Sequence, residues 1–528
     1  MTITVKHPIN GAYTRWAGGT SGGGGVPVAA NTRVAWIGDD TTDQAGAGPA
    51  AILEQLQAAG WSPSSKVDGA AGRKIRDGGS TSLAIGNART GGWDASTWVL
   101  ALGGNSSTDS PSKWAADVNG NLDDIAAAGG AYTVFLLGCT TPTQSAAAST
   151  SYYSTLRSVA ASNTRPNLAV RTLDVNNTLH TGEPETGWWA TGFTMTTTGY
   201  AWRNQLTVAG IGGPSLIPAP ANPVPYETLT GGTFAQRINS APGANITLSS
   251  GTYTCTDFAD AAGFAGVWAQ NTAGIYGPAD RSALIQMNPG TSTKASSLPA
   301  HGSNQPNLFN LFRVDGSPRI YGLTLNGTDQ GMPYSGLFLY QTTDAIVSHC
   351  DSVAIPGNDS VPPGETSGVQ VYASTRTRVF WCNLRGPNGA VGLAPNGGSD
   401  VTVADSVFDG VTGAASHEVA NYNVRNITYT RCTFKNTTWR GANNERVSGR
   451  AVYQNCTWSN VQPTAHMEVE NDKGSAFIHI IDPVFTGSTF NVRCGSKYLG
   501  ATNIQDLSAI KLYVNGVERP DLLNVYVV

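Results

Sequence analysis

Charge is scarce in this chain. Asp, Glu, Lys and Arg make up 13% of its 528 residues, the formal net charge is −4, and no Lys/Arg cluster is interleaved with aromatics. A surface for phosphate backbones needs concentrated cations, so nucleic acid is excluded as an expected partner. Long apolar runs are missing too: nothing approaches the roughly 20 residues of a membrane helix. The start, Met1-Thr2-Ile3-Thr4-Val5-Lys6-His7-Pro8, has no apolar core of signal-peptide length. The expectation is a protein made in the cytoplasm without an export signal and without membrane insertion. Cysteines number seven, an odd count, and none shows CxxC-like spacing. That argues against a disulfide framework and excludes a zinc knuckle. No metal and no cofactor is expected.

Glycine, by contrast, is plentiful, with 63 residues. With so little charge, the surface must rely on Ser, Thr, Asn and Gln, which favours β-rich, carbohydrate-facing or virion-type proteins over helical cytosolic enzymes. The length calls for at least two domains. Gly18-Gly19-Thr20-Ser21-Gly22-Gly23-Gly24-Gly25 is a flexible linker, so residues 1–31 form an anchoring arm and its tether. Between residues 211 and 227, the run Pro214 to Pro225 carries prolines at 214, 218, 220, 223 and 225 and is an extended, semi-rigid connection.

Residues 32–210 between these breaks have an α/β pattern. Thr32–Ile37, Trp98–Leu102 and Tyr132–Leu137 are short apolar runs, as buried parallel strands are, and Ala50–Gly60 is a helical pattern ended by glycine. Strands alternating with helices predict a parallel sheet with functional groups at the strands' carboxyl ends, where Asp39, Asp40 and Asn105 fall. Asp39, Asp40 and Asp43 together read as a solvated loop with helix-capping character.

Gly38-Asp39-Asp40 resembles the opening Gly-Asp-Ser block of the SGNH (GDSL) hydrolases, with Asp40 at the nucleophile position. Asp68-Gly69-Ala70-Ala71-Gly72-Arg73 resembles the second block and Leu102-Gly103-Gly104-Asn105 the third; the resemblance implies that Gly72 and Asn105 are oxyanion-hole donors. The last block, Asp-x-x-His before Gly-Tyr, corresponds to Thr191-Gly192-Phe193-Thr194 before Gly199-Tyr200, so Thr191 and Thr194 stand at the positions of carboxylate and base. His180, the nearest histidine, lies in a loop-like stretch that does not match. A nucleophile needs a base, and the base a carboxylate. The resemblance therefore implies a three-layer SGNH-like fold, catalytically degenerate.

From residue 228 the chain repeats. Anchors at Leu323, Cys350, Cys382, Ser406, Cys432, Cys456 and Pro483 are 27, 32, 24, 26, 24 and 27 residues apart. Three residues before them come Ile320, Val347, Val379, Val403, Tyr429, Tyr453 and Ile480; two after come Leu325, Ser352, Leu384, Phe408, Phe434, Trp458 and Phe485. Four after come Gly327, Ala354, Gly386, Gly410, Asn436, Asn460 and Gly487, mostly residues able to take positive φ. A further strand per coil is read at Gly336–Tyr340 and Gly368–Tyr372. Inward side chains stacking on successive copies define the coils of a parallel β-helix, and the four anchor cysteines are small buried residues of that ladder. The region 228–490 resembles the right-handed pectate-lyase-like β-helices. Residues 491–528 are expected to form a β cap or trimer contact, with Ala509–Val517 a strand entering an Asn-Gly turn.

Proteins of that fold carry catalytic groups across successive coils of an outer sheet. The candidates here are His417 and Glu418, then Arg440, Glu445 and Arg446, then His466, Glu468, Glu470 and Asp472, with Tyr422 and Trp439 as aromatics that stack on sugar rings. Alternation places Glu468 and Glu470 on one face. The same wall also reads as solvated, or as binding glycan by hydrogen bonds without turnover. The combination of arm, degenerate hydrolase domain, β-helix and cap resembles minor tail proteins, side fibres and tailspikes of bacteriophages, especially of actinobacterial hosts. That resemblance implies a homotrimer in the virion, attached to tail or baseplate proteins through the arm and facing a host-envelope glycan. Alternatives are a polysaccharide depolymerase using Glu418 and Glu468, and an esterase with an unconventional base acting with Asn105.

Overall fold

The computed structural model describes residues 31–43, 46–76, 80–90, 95–106, 108–138, 146–175, 189–191, 194–255, 265–269, 273–287, 310–314, 316–326, 335–353, 367–386, 391–416, 424–437, 442–445, 449–461, 467–470, 476–486, 492–494 and 510–525. In the first domain, β1 (Val34–Gly38), β2 (Lys66–Gly69), β3 (Thr97–Ala101), β4 (Tyr132–Gly138) and β5 (Leu168–Asp174) form one sheet in the order β2-β1-β3-β4-β5. All its pairings are parallel. The central strands β1, β3 and β4 are buried on both faces, which is why they are largely apolar, whereas the edge strand β2, Lys-Val-Asp-Gly, is partly exposed. Helices α1 (Pro49–Ala58), α2 (Ser80–Thr90), α3 (Pro111–Ala126), α4 (Ala146–Ala161) and α5 (Thr197–Ile211) cover it. Ile52, Leu56, Val208 and Ile211 pack on one face, and Ile85, Trp114, Val118, Leu122, Tyr152 and Leu156 on the other, giving three layers.

From Pro223 onward the described residues form a parallel β-helix with three walls. Wall I climbs from Pro223–Pro225 through Arg319–Tyr321, Ile346–Ser348, Arg378–Phe380, Val424–Thr430 and Gly449–Gln454 to Ile510–Val514. Wall II is a separate nine-stranded sheet from Gly251–Cys255 to Val484–Thr486. Wall III runs from Ala265–Ala269 to Leu523–Val525. Walls I and III continue past residue 490: Val492–Cys494, Ile510–Val514 and Leu523–Val525 add rungs, so the segment expected as a cap carries coils of its own.

Both apolar rows read from the repeat are register ladders. Leu325, Ser352, Leu384, Phe408, Phe434, Trp458 and Phe485 pair in succession along wall II. Ile320, Val347, Val379, Val403, Tyr429, Tyr453 and Ile480 do so along wall I. Their rings stack from rung to rung: Phe408 on Phe434 at 5.1 Å, Phe434 on Trp458 at 5.2 Å, and Tyr429 on Tyr453 at 5.1 Å and 2°. Cys350, Cys382, Cys432 and Cys456 are buried and free, each thiol reaching the carbonyl two residues back. Ser406 makes the same bond at its anchor, 3.0 Å to Ala404 O.

Tight corners separate the walls. Of the residues four after each anchor, Gly410, Asn436 and Asn460 have positive φ, forming the corner between walls II and III. A second corner, between walls I and II, lies one residue before each anchor: Gly322, His349, Trp381, Asp405, Arg431, Asn455 and Asp482 all have φ between 48° and 68°. Six of these are not glycine, each costing about 1–2 kcal/mol in that conformation, so their side chains must return something.

At the start of the β-helix α6 (Phe234–Asn239) sets Phe234 and Ile238 into the apolar core, with Thr233 capping it through a 3.2 Å bond from Gln236 N. At the other end Ile510–Val514 turns at Asn515 and Gly516, φ 50° and 79°, and pairs antiparallel with Val517 and Glu518. Two successive positive φ values are the type I′ geometry that Asn-Gly favours.

Candidate functional site

The sheet order reverses direction between β1 and β3, and the residues just beyond these strands meet there, where parallel α/β sheets place their functional groups. Asp39 is fully buried. Its carboxylate accepts from Gly104 N at 2.8 Å, Thr41 N at 3.1 Å and Thr41 Oγ1 at 2.7 Å. Burial raises its pKa, while the Thr41 hydroxyl, the charge of Arg203 and the backbone amides pull the other way. Arg203, also fully buried, projects from α5 and donates to Thr41 O at 3.1 Å. This acid–base node joins the β1 loop, the β3 loop and the last helix. Arg203, a cation within an otherwise buried helical turn, is its sequence signal.

Asp40 sits one residue further out, and its carboxylate accepts from the Gly72 amide. Asn105 turns its side-chain amide to Arg73 O at 3.1 Å. Arg73 is itself held by Gly38 O and Asp68 O, both at 2.9 Å, and by the Asp68 carboxylate at 2.9 Å. Both presumptive oxyanion donors are therefore bonded within the chain. A carboxylate on one of them would also repel developing negative charge, the reverse of what acyl transfer requires. Thr191 and Thr194 pair across a two-stranded antiparallel ladder, and neither residue type supplies a base. His180 lies outside the described residues.

On the β-helix, Glu445 and Glu470 are in-register neighbours on adjacent strands of wall III, and Glu468 pairs with Asn443 on one side and Arg493 on the other. The structure thus brings Glu445, Glu468 and Glu470 onto two rungs. His417, Glu418, Tyr422, Trp439, Arg440, Arg446, His466 and Asp472 lie outside the described residues. Lower on the same wall, Tyr340 and Tyr372, half-buried, stack at 5.6 Å and 8°, with Phe338 packed against both. This aromatic cluster follows from register: Phe338 and Tyr340 are paired with Gln370 and Tyr372.

Neither a protein-family model nor a curated protein matches the chain. Among solved structures it is similar to a polygalacturonase from Erwinia carotovora ssp. carotovora, with 10% identity and a TM-score of 0.36 over 56% of this chain and 91% of the other. It is also similar to a protein from Streptococcus pneumonia provisionally assigned as a platelet activating factor, with 13% identity and a TM-score of 0.25 over 33% and 81%. Both scores are low, and the architecture rests on the strand ladders themselves.

Proposed function

We propose that the protein is a structural component of a phage tail that presents a carbohydrate-facing surface to a host envelope, and that its SGNH-like domain performs no hydrolysis. The observation that carries the second half is the Asp40 carboxylate bonded to the Gly72 amide. The first half is supported by the charge-poor, Ser/Thr/Asn-rich composition, by the tyrosine stack on wall III and by the resemblance of the domain order to tail proteins. Homotrimerisation and attachment through residues 1–31 belong to the same reading. The full-length protein is expected to bind purified envelope polysaccharide from an actinobacterial host and to release neither new reducing ends nor unsaturated sugars. It is also expected to leave p-nitrophenyl acetate at the background rate. An Asp40→Ser variant should do the same, because Thr191 and Thr194 supply no base; hydrolysis by either protein would overturn the degenerate-site reading.

One observation favours a second reading, a polysaccharide depolymerase. Glu445 and Glu470 are in register on neighbouring strands, whose backbones lie about 4.8 Å apart, and a pair of carboxylates is the equipment a glycosidase needs. This reading expects new reducing ends from the wild type and their loss, by about a hundredfold or more, in Glu470→Gln with binding retained. Glycan binding without product sets it aside.

A further inference from the structure

The outer face of wall I is an apolar and mixed surface: Tyr321, Ile346, Phe380, Ala404, Thr430, Val452, Gln454 and Ile481 are all buried. The α/β domain and the connecting segment that follows α5 cover it. Trp202, Met195 and Tyr200 pack with Val452 and Ile481, and Ile217 packs with Tyr321, Ile346 and Phe380. The attachment runs along the corner that precedes the anchors. His349 Nε2 meets Ser215 O at 2.9 Å, and Trp381 Nε1 donates to Gly213 O at 3.1 Å. Arg431 donates to Gly210 O and, at 3.1 Å, to Ile211 O, while a bidentate pair with Asp405 at 2.7 and 2.6 Å fixes its guanidinium. Asn455 donates to Thr172 O at 3.3 Å, and Asp482 takes Tyr153 Oη and Arg157, each at 3.1 Å.

These bonds do specific work at both ends. The last carbonyls of α5 have no partner within their own helix; Arg431 satisfies two of them and sets a cation at the negative end of the helix dipole. In return, the six non-glycine residues of the corner keep their left-handed backbone because their side chains are engaged. The approach is close: a Cβ on Gly213 would lie 2.2 Å from the Phe380 ring.

The geometry points to a new role for the α/β domain: with the segment that follows α5, it is a clamp that closes wall I and holds six successive corners of the β-helix in register, so that the two domains unfold as one unit. This explains why a domain without its triad keeps an intact core. It also assigns recognition to walls II and III, since wall I is occupied.

The test uses the full chain. Scanning calorimetry of the wild type is expected to show one transition, and thermolysin is expected to spare the Leu216-Ile217 stretch. Gly213→Val forces the seam open against Phe380. Arg431→Ala, which introduces no clash and reads the same seam should the first variant fail to fold, removes the helix cap. In each variant the transition should split in two, and cleavage at 216–217 should accelerate by roughly tenfold or more, as expected when a local opening becomes accessible, leaving two protease-resistant fragments. Two independent transitions in the wild type would overturn the clamp, as would variants that keep a single, unshifted transition and wild-type cleavage rates.

Discussion

Replacing Asp351 with alanine lowers the stability of the β-helix by about 3 to 5 kcal/mol, the cost of breaking a buried ion pair from one side. Asp351 is fully buried on the fourth strand of wall II, and its carboxylate takes Arg281, Asn383 Nδ2 at 3.0 Å and Arg385 Nη2 at 3.1 Å. Arg281 reaches on to Trp381 O at 2.7 Å. The carboxylate thus links residues 70 positions upstream and 34 downstream, across several coils. Without it two guanidinium groups, 16% and 35% exposed, face each other across a cavity. For a cooperative unit of this length, with an unfolding entropy of about 2.1 cal/mol/K per residue, the loss amounts to a fall of roughly 3 to 5 °C in the thermal midpoint. Asp351→Asn, which keeps an acceptor and a donor, should lose clearly less. Equal losses in the two variants would mean that packing, and not charge, carries the effect.

Acid is the second strong perturbation. Burial pushes the His349 imidazole down to about 4, with Arg281 adding in the same direction and the Ser215 carbonyl opposing. The folded state therefore holds His349 neutral while the unfolded chain protonates it near 6.5, so its contribution is complete above about pH 6.5 and is lost as pH falls towards 4. That is about 3 kcal/mol for this one residue. His479, fully buried beside Arg450, is lowered by the same cause and acts with the same sign. Asp39 and Asp482, both raised by burial, act with the opposite sign as pH falls and offset part of the loss. Thermal midpoints between pH 7 and pH 4 should decline, and His349→Gln, which cannot titrate, should flatten the decline. An identical slope in the variant would remove His349 as its source.

How much of this was legible from residue types alone depends on what each position has to satisfy. The inward rows were legible, because a side chain stacked on its own equivalent above and below is held away from water, and Val379, Tyr429 and Trp458 meet that demand, with Ser352 the one polar member. One corner was legible through Gly410 and Asn436, residues that adopt positive φ readily. The corner before the anchors was not: His349, Trp381, Asp405 and Arg431 share a backbone conformation but no side-chain chemistry, because each has a different partner: Ser215 O, Gly213 O, the Arg431 guanidinium, and the last carbonyls of α5. Their constant offset of one residue is the signal they leave. The sequence places Asp40 just beyond β1, yet the capture of the Gly72 amide by its carboxylate is a matter of rotamer and loop shape that no spacing encodes.

The Asn515-Gly516 hairpin has a further consequence. A stack of parallel coils has no intrinsic end, since each rung offers the next the same row of amides and carbonyls, and a second molecule can supply that rung as well as the same chain can. By folding Val517 and Glu518 back onto Tyr513 and Val514, with Lys511 and Glu518 paired at 3.1 Å, the chain spends the last edge of wall I on itself. Growth along the axis is thereby terminated at that wall, and the length of the β-helix becomes a property written into one molecule instead of one set by its concentration.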